Sequence, residues 1–178
     1  VRWIQLGRAF NAISPSGQYR HFGASQLEPY LPDPEIVFLA QYPLMSPSVF
    51  NFFSPTHQPA GPLANAGLLA PEMEIIHAYT SIATTNAIDR ATFGDFYIFD
   101  YDPDATIPLD LAEEIAIAQA SPELLLDHLD LLLTYGTLSA STRTTIGNAI
   151  MPLSANPGEQ VRLAIYLFMI SPDYAVLR

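Results

Sequence analysis

Ser121-Pro122-Glu123-Leu124-Leu125-Leu126-Asp127-His128-Leu129-Asp130-Leu131-Leu132-Leu133-Thr134-Tyr135-Gly136 is the stretch on which the fold class turns. Serine, proline and an acid in succession are the chemistry of a helix start. The hydroxyl caps free amides, proline loses no hydrogen bond at the first position, and the carboxylate meets the positive end of the dipole. Leu125, Leu129, Leu132 and Leu133 then recur at helical spacing and form a buried stripe. Gly136 ends the helix, since glycine takes the left-handed C′ conformation without steric cost. The stretch predicts a helix.

The same grammar repeats on both sides. Toward the C-terminus, Ser139 or Ser141 caps a helix reaching about Met151, and Pro157-Gly158-Glu159 opens another with Val161, Ala164, Ile165 and Phe168 inward. Ser171-Pro172-Asp173 starts a short terminal turn carrying Tyr174 and Leu177. Toward the N-terminus, Asp110 and Glu113 form a capping box for a helix to Gln119. Pro71 with Glu72 and Glu74 opens a helix whose apolar face is Met73, Ile76, Tyr79, Ala83 and Ala87, down to about Arg90. Strand-like alternation is missing throughout. The expected fold is all-α.

Before Glu72 the character changes, with ten of the 16 prolines in that part. Proline lacks an amide donor and restricts its predecessor, so long helices are excluded there. Trp3, Leu6 and Phe10 mark the end of a helix, and short helices are expected near Glu35–Gln41 and Pro47–Phe53. The segment is rich in Phe, Tyr and Leu, which a solvated linker would not be. Residues 1–70 therefore read as a loop-rich aromatic and proline wrap, and 71–178 as an irregular helical bundle, together forming one domain. Phe50, Phe52 and Phe53 are expected to fill the core where wrap and helices meet.

Composition narrows the function classes. A chain of 178 residues buries roughly 70% of its unfolded surface, enough for a real core. Eighteen acids face seven basic residues, all arginine, for a net charge of −11. That field repels phosphate backbones and anionic lipid, so nucleic-acid and polybasic membrane partners are excluded. Having no cysteine removes disulfides, thiol catalysis and thiolate metal sites. The apolar run Leu163–Ile170 is far short of the ~20 residues a membrane helix needs. No export signal is visible, and the opening Val1-Arg2-Trp3 reads as the start of a C-terminal portion whose targeting segment would lie upstream.

Seven acids fall between Asp95 and Glu114. Within them, Asp100, Asp102 and Asp104 alternate as the first ligands of a calcium loop do. Ala105 stands where such a loop turns on glycine, and Leu111 where it ends in glutamate, so a solvated acidic connector is the competing reading. Glu74 and His77 have the Glu-x-x-His spacing of di-metal bundles, yet no second pair exists, and His21, His57 and His128 lie in unrelated contexts. Ser46 and Ser48 sit beside prolines in turn and cap chemistry. There is no nucleophile elbow and no phosphate-binding glycine loop.

Leu44-Met45-Ser46-Pro47-Ser48-Val49-Phe50-Asn51-Phe52-Phe53-Ser54-Pro55 is followed by Gly61-Pro62-Leu63 and by Ala66-Gly67-Leu68-Leu69-Ala70-Pro71-Glu72. These segments resemble the hallmark blocks of the bacterial family catalogued as domain of unknown function eighteen hundred. The resemblance continues through Leu126–Thr134, Gly136, Leu138-Ser139 and Thr142-Arg143, and closes with Val161–Leu167, Ser171-Pro172-Asp173-Tyr174 and a terminal arginine. It implies the last third of a mainly helical, often exported protein, commonly encoded beside a sulfatase-like family. It supplies no catalytic residue set, and the Asp95–Asp110 connector lies outside its pattern. The expected role is non-catalytic assembly or binding, through a protein partner or self-association, in the cell envelope or extracellular space. Two alternatives stand: part of a hydrolase or hydrolase accessory with catalytic residues upstream, and a calcium-stabilised adhesion module.

Thermal melting separates the calcium loop from the plain connector. Calcium at 100 times its dissociation constant adds roughly 2.7 kcal/mol to a protein that binds it. A melting temperature identical in calcium and in chelator would leave the aspartates as a solvated connector.

Overall fold

The computed structural model describes residues 9–10, 49, 52–93 and 109–175. Every regular element among them is helical. Helix α1 (Pro62–Asn65) is followed by a 3-10 turn at Pro71–Ile75, then by α2 (Ala78–Phe93), α3 (Ala112–Ala120) and α4 (Pro122–Leu129). α4 runs on into a π turn at Asp130–Thr134. α5 (Ala140–Ile150), a 3-10 turn at Met151–Leu153, α6 (Pro157–Ile170) and α7 (Pro172–Ala175) complete the order. The all-α reading holds.

α6 is the axis of the bundle. Its start is set locally: the Asn156 side chain accepts from the Glu159 amide at 3.5 Å, Pro157 takes the first position, and Glu159 lies in the first turn. Val161, Ala164, Ile165, Phe168 and Met169 are wholly buried, confirming the expected stripe and adding Met169 to it. α2, α3, α4, α5, α7 and the π turn all pack on this helix. Ile88 and Ala91 of α2, Ala118 of α3, Leu125, Leu126 and Leu129 of α4, and Ile146 and Ile150 of α5 fill the spaces around it.

The polar groups of α6 bind the same neighbours. Buried Gln160 donates to the Ile150 carbonyl at the end of α5, 3.1 Å away. Arg162 donates to the Thr92 carbonyl at the end of α2, and the Thr92 hydroxyl reaches the Ile88 carbonyl at 2.7 Å. These bonds satisfy terminal carbonyls that a helix leaves free. On the same pair of helices, Tyr166 meets Phe93 edge to face, with centroids 6.1 Å apart.

Several local expectations are corrected. The helix expected from Pro71 is interrupted: residues 71–75 form a 3-10 turn, Ile76 is extended, and α2 begins at Ala78. Thr80 causes the break, because its hydroxyl accepts from the His77 amide and donates to the Ile75 carbonyl, both at 2.8 Å. Ile76 is consequently exposed, while Ala83 is buried as expected. The side chains of Tyr79 and Ala87 lie outside the described residues.

Asp110 and Glu113 form no capping box. Leu111 is the N-cap of α3, and the Asp110 carboxylate accepts from the nearby Ala112 amide, at 3.2 Å. The Asp110 amide instead donates to the carbonyl of Phe10, whose ring is buried in the main core. Ser139, not Ser141, caps α5, accepting from the Thr142 amide at 3.3 Å.

From the wrap, residues 9–10, 49 and 52–70 are described, and Phe10 is in the main core. Residues 52–70 are turns around the short α1, tied to themselves where the Ala70 amide meets the His57 carbonyl at 3.0 Å. Phe52 and Phe53 are half-buried and do not belong to the main core among the described residues, so the packing expected of them is not seen there. Phe50, the helix expected near Glu35–Gln41, and Leu177 lie outside the described residues.

Because α6 touches every layer, truncating its largest core side chain is expected to cost most. Phe168→Ala should lower unfolding free energy by about 3–5 kcal/mol in urea denaturation. A loss below ~1 kcal/mol would show that the centre of the bundle lies elsewhere.

Candidate functional site

Among the described residues, the sequence candidates do not converge. Asp100, Asp102 and Asp104 lie outside the described residues, as do His21, Ser46 and Ser48. Glu74 sits in the 3-10 turn and His77 beyond its end, so one α-helical turn does not present both. Glu74 faces the wrap instead: its carboxylate accepts from the Ser54 amide at 2.5 Å and lies 3.9 Å from Nδ1 of His57. His77 is exposed. Among the described residues, no group of three or more histidine, aspartate or glutamate side chains is placed to hold a metal.

One pairing went unread in the sequence. Glu114 of α3 is buried, and its Oε1 lies 3.1 Å from Nε2 of His128 on α4. With the carboxylate charged, the imidazole donates. The two residues stand seven before and seven after Ser121, where the chain breaks between helices. Ser121 creates that break by capping α4, accepting from the Glu123 and Leu124 amides at 3.2 and 3.4 Å. Two helices folded about one residue bring equidistant positions together, and that symmetry was the available signal. The pair satisfies a buried carboxylate and locks α3 to α4.

Other polar clusters do similar work. Buried Asp173 accepts from the Ser139 hydroxyl at 2.7 Å and from the Ser139 amide at 3.3 Å, joining the start of α5 to α7. Arg143 of α5 meets Asp127 of α4 at 2.6 Å. Asp130 holds the π turn: its Oδ1 accepts from the Thr134 hydroxyl at 2.5 Å and from the Leu138 amide at 3.1 Å.

The π turn sets what α4 shows to solvent. Leu125, Leu126, Leu129 and Leu133 face the core, and Leu126 replaces the expected Leu132 in that stripe. On the outer side stand Leu124, 54% exposed, Leu131, 68%, Leu132, 36%, and Tyr135, 75%. Tyr135 adopts a left-handed backbone with φ 57°, one residue before Gly136 at φ 75°. A left-handed conformation costs an L-residue about 1–2 kcal/mol, and glycine avoids it. The turn thus begins one residue earlier than expected, on a side chain that gains nothing from burial.

Carboxylates rim this face. Glu123 is exposed and bonded to the Ser121 hydroxyl at 2.9 Å. That bond, then the residue's own backbone amide, then the Arg143 charge hold its carboxyl below the ordinary glutamate range. The arrangement is an apolar ridge with a charged border, the composition of a protein-contact surface. No family model, characterised protein or solved structure matches this chain. Among the described residues, no helix is long and apolar enough to cross a membrane.

Tyr135→Gly tests whether the ring is placed for stability or for the surface. Relief of the left-handed strain should hold stability level or raise it by up to about 1 kcal/mol in urea denaturation. A loss greater than ~1 kcal/mol would assign the tyrosine to packing.

Proposed function

We propose that this chain is a binding or assembly module with no catalytic step of its own, acting in the bacterial envelope or extracellular space. The outer face of α4 carries the proposal. Three leucines and a tyrosine stand in solvent there on one helical element, and the tyrosine is held out by a backbone conformation that costs stability. Strain of that kind persists where the exposed group has a use. Contact surfaces are enriched in tyrosine, and each fully buried leucine contributes about 1.5–3 kcal/mol. The polar groups nearby support the same reading: Glu114 with His128, and Asp127 with Arg143, hold helices in place around the face.

The envelope or extracellular location rests on the resemblance to the bacterial family named above, whose members are often exported. The net charge of −11 suits such surroundings, since it keeps a protein soluble without disulfides.

Site-specific photo-crosslinking in the producing cell tests the binding role. A photoreactive phenylalanine analogue at Tyr135 should give discrete higher-mass adducts, while the same group at exposed Asn148 of α5 gives none. Equal labelling at both positions, or none at either, would end the proposal.

A further inference from the structure

We propose that the outer face of α4 receives a segment of another protein whose apolar side chains are flanked by lysine or arginine. This rests on the binding reading and names its partner chemistry.

Three observations carry it. First, α4 with its π turn is apolar on opposite sides: Leu125, Leu126, Leu129 and Leu133 inward, Leu124, Leu131 and Tyr135 outward. Water-facing positions of a helix are normally polar, as Glu123 and Asp127 are here, yet among the described residues Leu124, Leu131 and Tyr135 stay exposed. Second, the face is preorganised. Asp130 fixes the π turn through Thr134 and Leu138, and the left-handed backbone at Tyr135 sets the direction of the ring. Little freedom remains to be lost on docking.

Third, the charge is one-sided. Glu123, Asp127 and Asp130 are spaced four and three apart, so they line one flank of the apolar ridge. Arg143 answers Asp127, and Glu123 and Asp130 leave this flank net negative; His128, between Leu124 and Leu131 on the face itself, is bonded to Glu114 of α3 at 3.1 Å. The whole chain carries −11 and no lysine. A second copy on this face would set acidic border against acidic border. A basic border complements it and strengthens encounter at low salt.

Two labelled amphipathic peptides with one leucine pattern, one bearing lysine and one glutamate, provide the probe. Fluorescence anisotropy with the whole chain should show the lysine peptide binding at least tenfold tighter, an advantage that shrinks in 0.5 M salt on the order of a 3–4 Å screening length. Leu131→Gln and Tyr135→Asn should each weaken it about tenfold with melting temperature unchanged, asparagine being tolerant of the left-handed backbone. Equal affinity for both peptides would overturn the basic partner and leave the binding face standing. Self-association in sedimentation, abolished by Leu131→Gln, would overturn it in favour of a second copy. Failure of both peptides to bind would overturn it outright, and the crosslinks at Tyr135 would still decide the broader binding role.

Discussion

The burial of α6 along Gln160, Val161, Ala164, Ile165, Phe168 and Met169 governs the rest of the molecule. A helix surrounded by neighbours cannot carry unpartnered polar groups, because a buried donor without an acceptor costs about 1–3 kcal/mol. Gln160 and Arg162 meet this constraint by reaching the carbonyl ends of α5 and α2. The groups a central helix must satisfy are thus paired with groups that terminal turns leave open. Sequence places these two residues on either side of Val161 on the same element. The apolar stripe and the polar anchors therefore act on one rigid body.

Around that axis, α3 and α4 form a hairpin about Ser121, closed at its far side by Glu114 and His128. The hairpin packs its inner leucines on α6 and is held laterally by Arg143 of α5. α7 returns to the start of α5 through Asp173 and Ser139. The clamps join α4 to α3 and to α5, and α7 back to the start of α5, so the orientation of α4 follows from contacts with several elements. Among the described residues, Leu124, Leu131 and Tyr135 are left exposed.

What was legible in the sequence was local. Ser121-Pro122, Pro157 with Glu159, and Ser171-Pro172 each act within about three residues, and each marks a helix start in the structure. The inward stripe of α6 was legible because Val161, Ala164, Ile165 and Phe168 fall at helical spacing after a clear start signal at Pro157. The break before α2 was not, because it depends on the Thr80 hydroxyl choosing backbone groups over solvent. Nor was the π turn, which needs the Leu138 amide to find a carboxylate eight residues earlier. Glu114 and His128 looked unrelated for the same reason. The aromatic block at Phe52 and Phe53 misled, since hydrophobicity alone does not say which core a ring joins.

The two leucine triplets, Leu124–Leu126 and Leu131–Leu133, explain why the exposed apolar face was hidden. Periodicity identifies a buried side only where the other side is polar; three consecutive leucines fill nearly a whole turn and carry no phase. Spacing predicts Leu132 inward, but it is partly exposed, and Leu126, three residues before Leu129 in the regular helix, is buried instead. Each triplet must therefore supply both core and surface. A helix needing only one buried side would be more stable in water with charged residues at the outward positions, as Glu123 and Asp127 show is possible on this element. Outward Leu124, Leu131 and Tyr135 lower solubility and, at Tyr135, strain the backbone. Packing on α6 requires neither. Among the described residues Ile82 and Met151 are also exposed, but singly, whereas on α4 and its π turn Leu124, Leu131 and Tyr135 fall at helical spacing, a composition that packing on α6 does not account for.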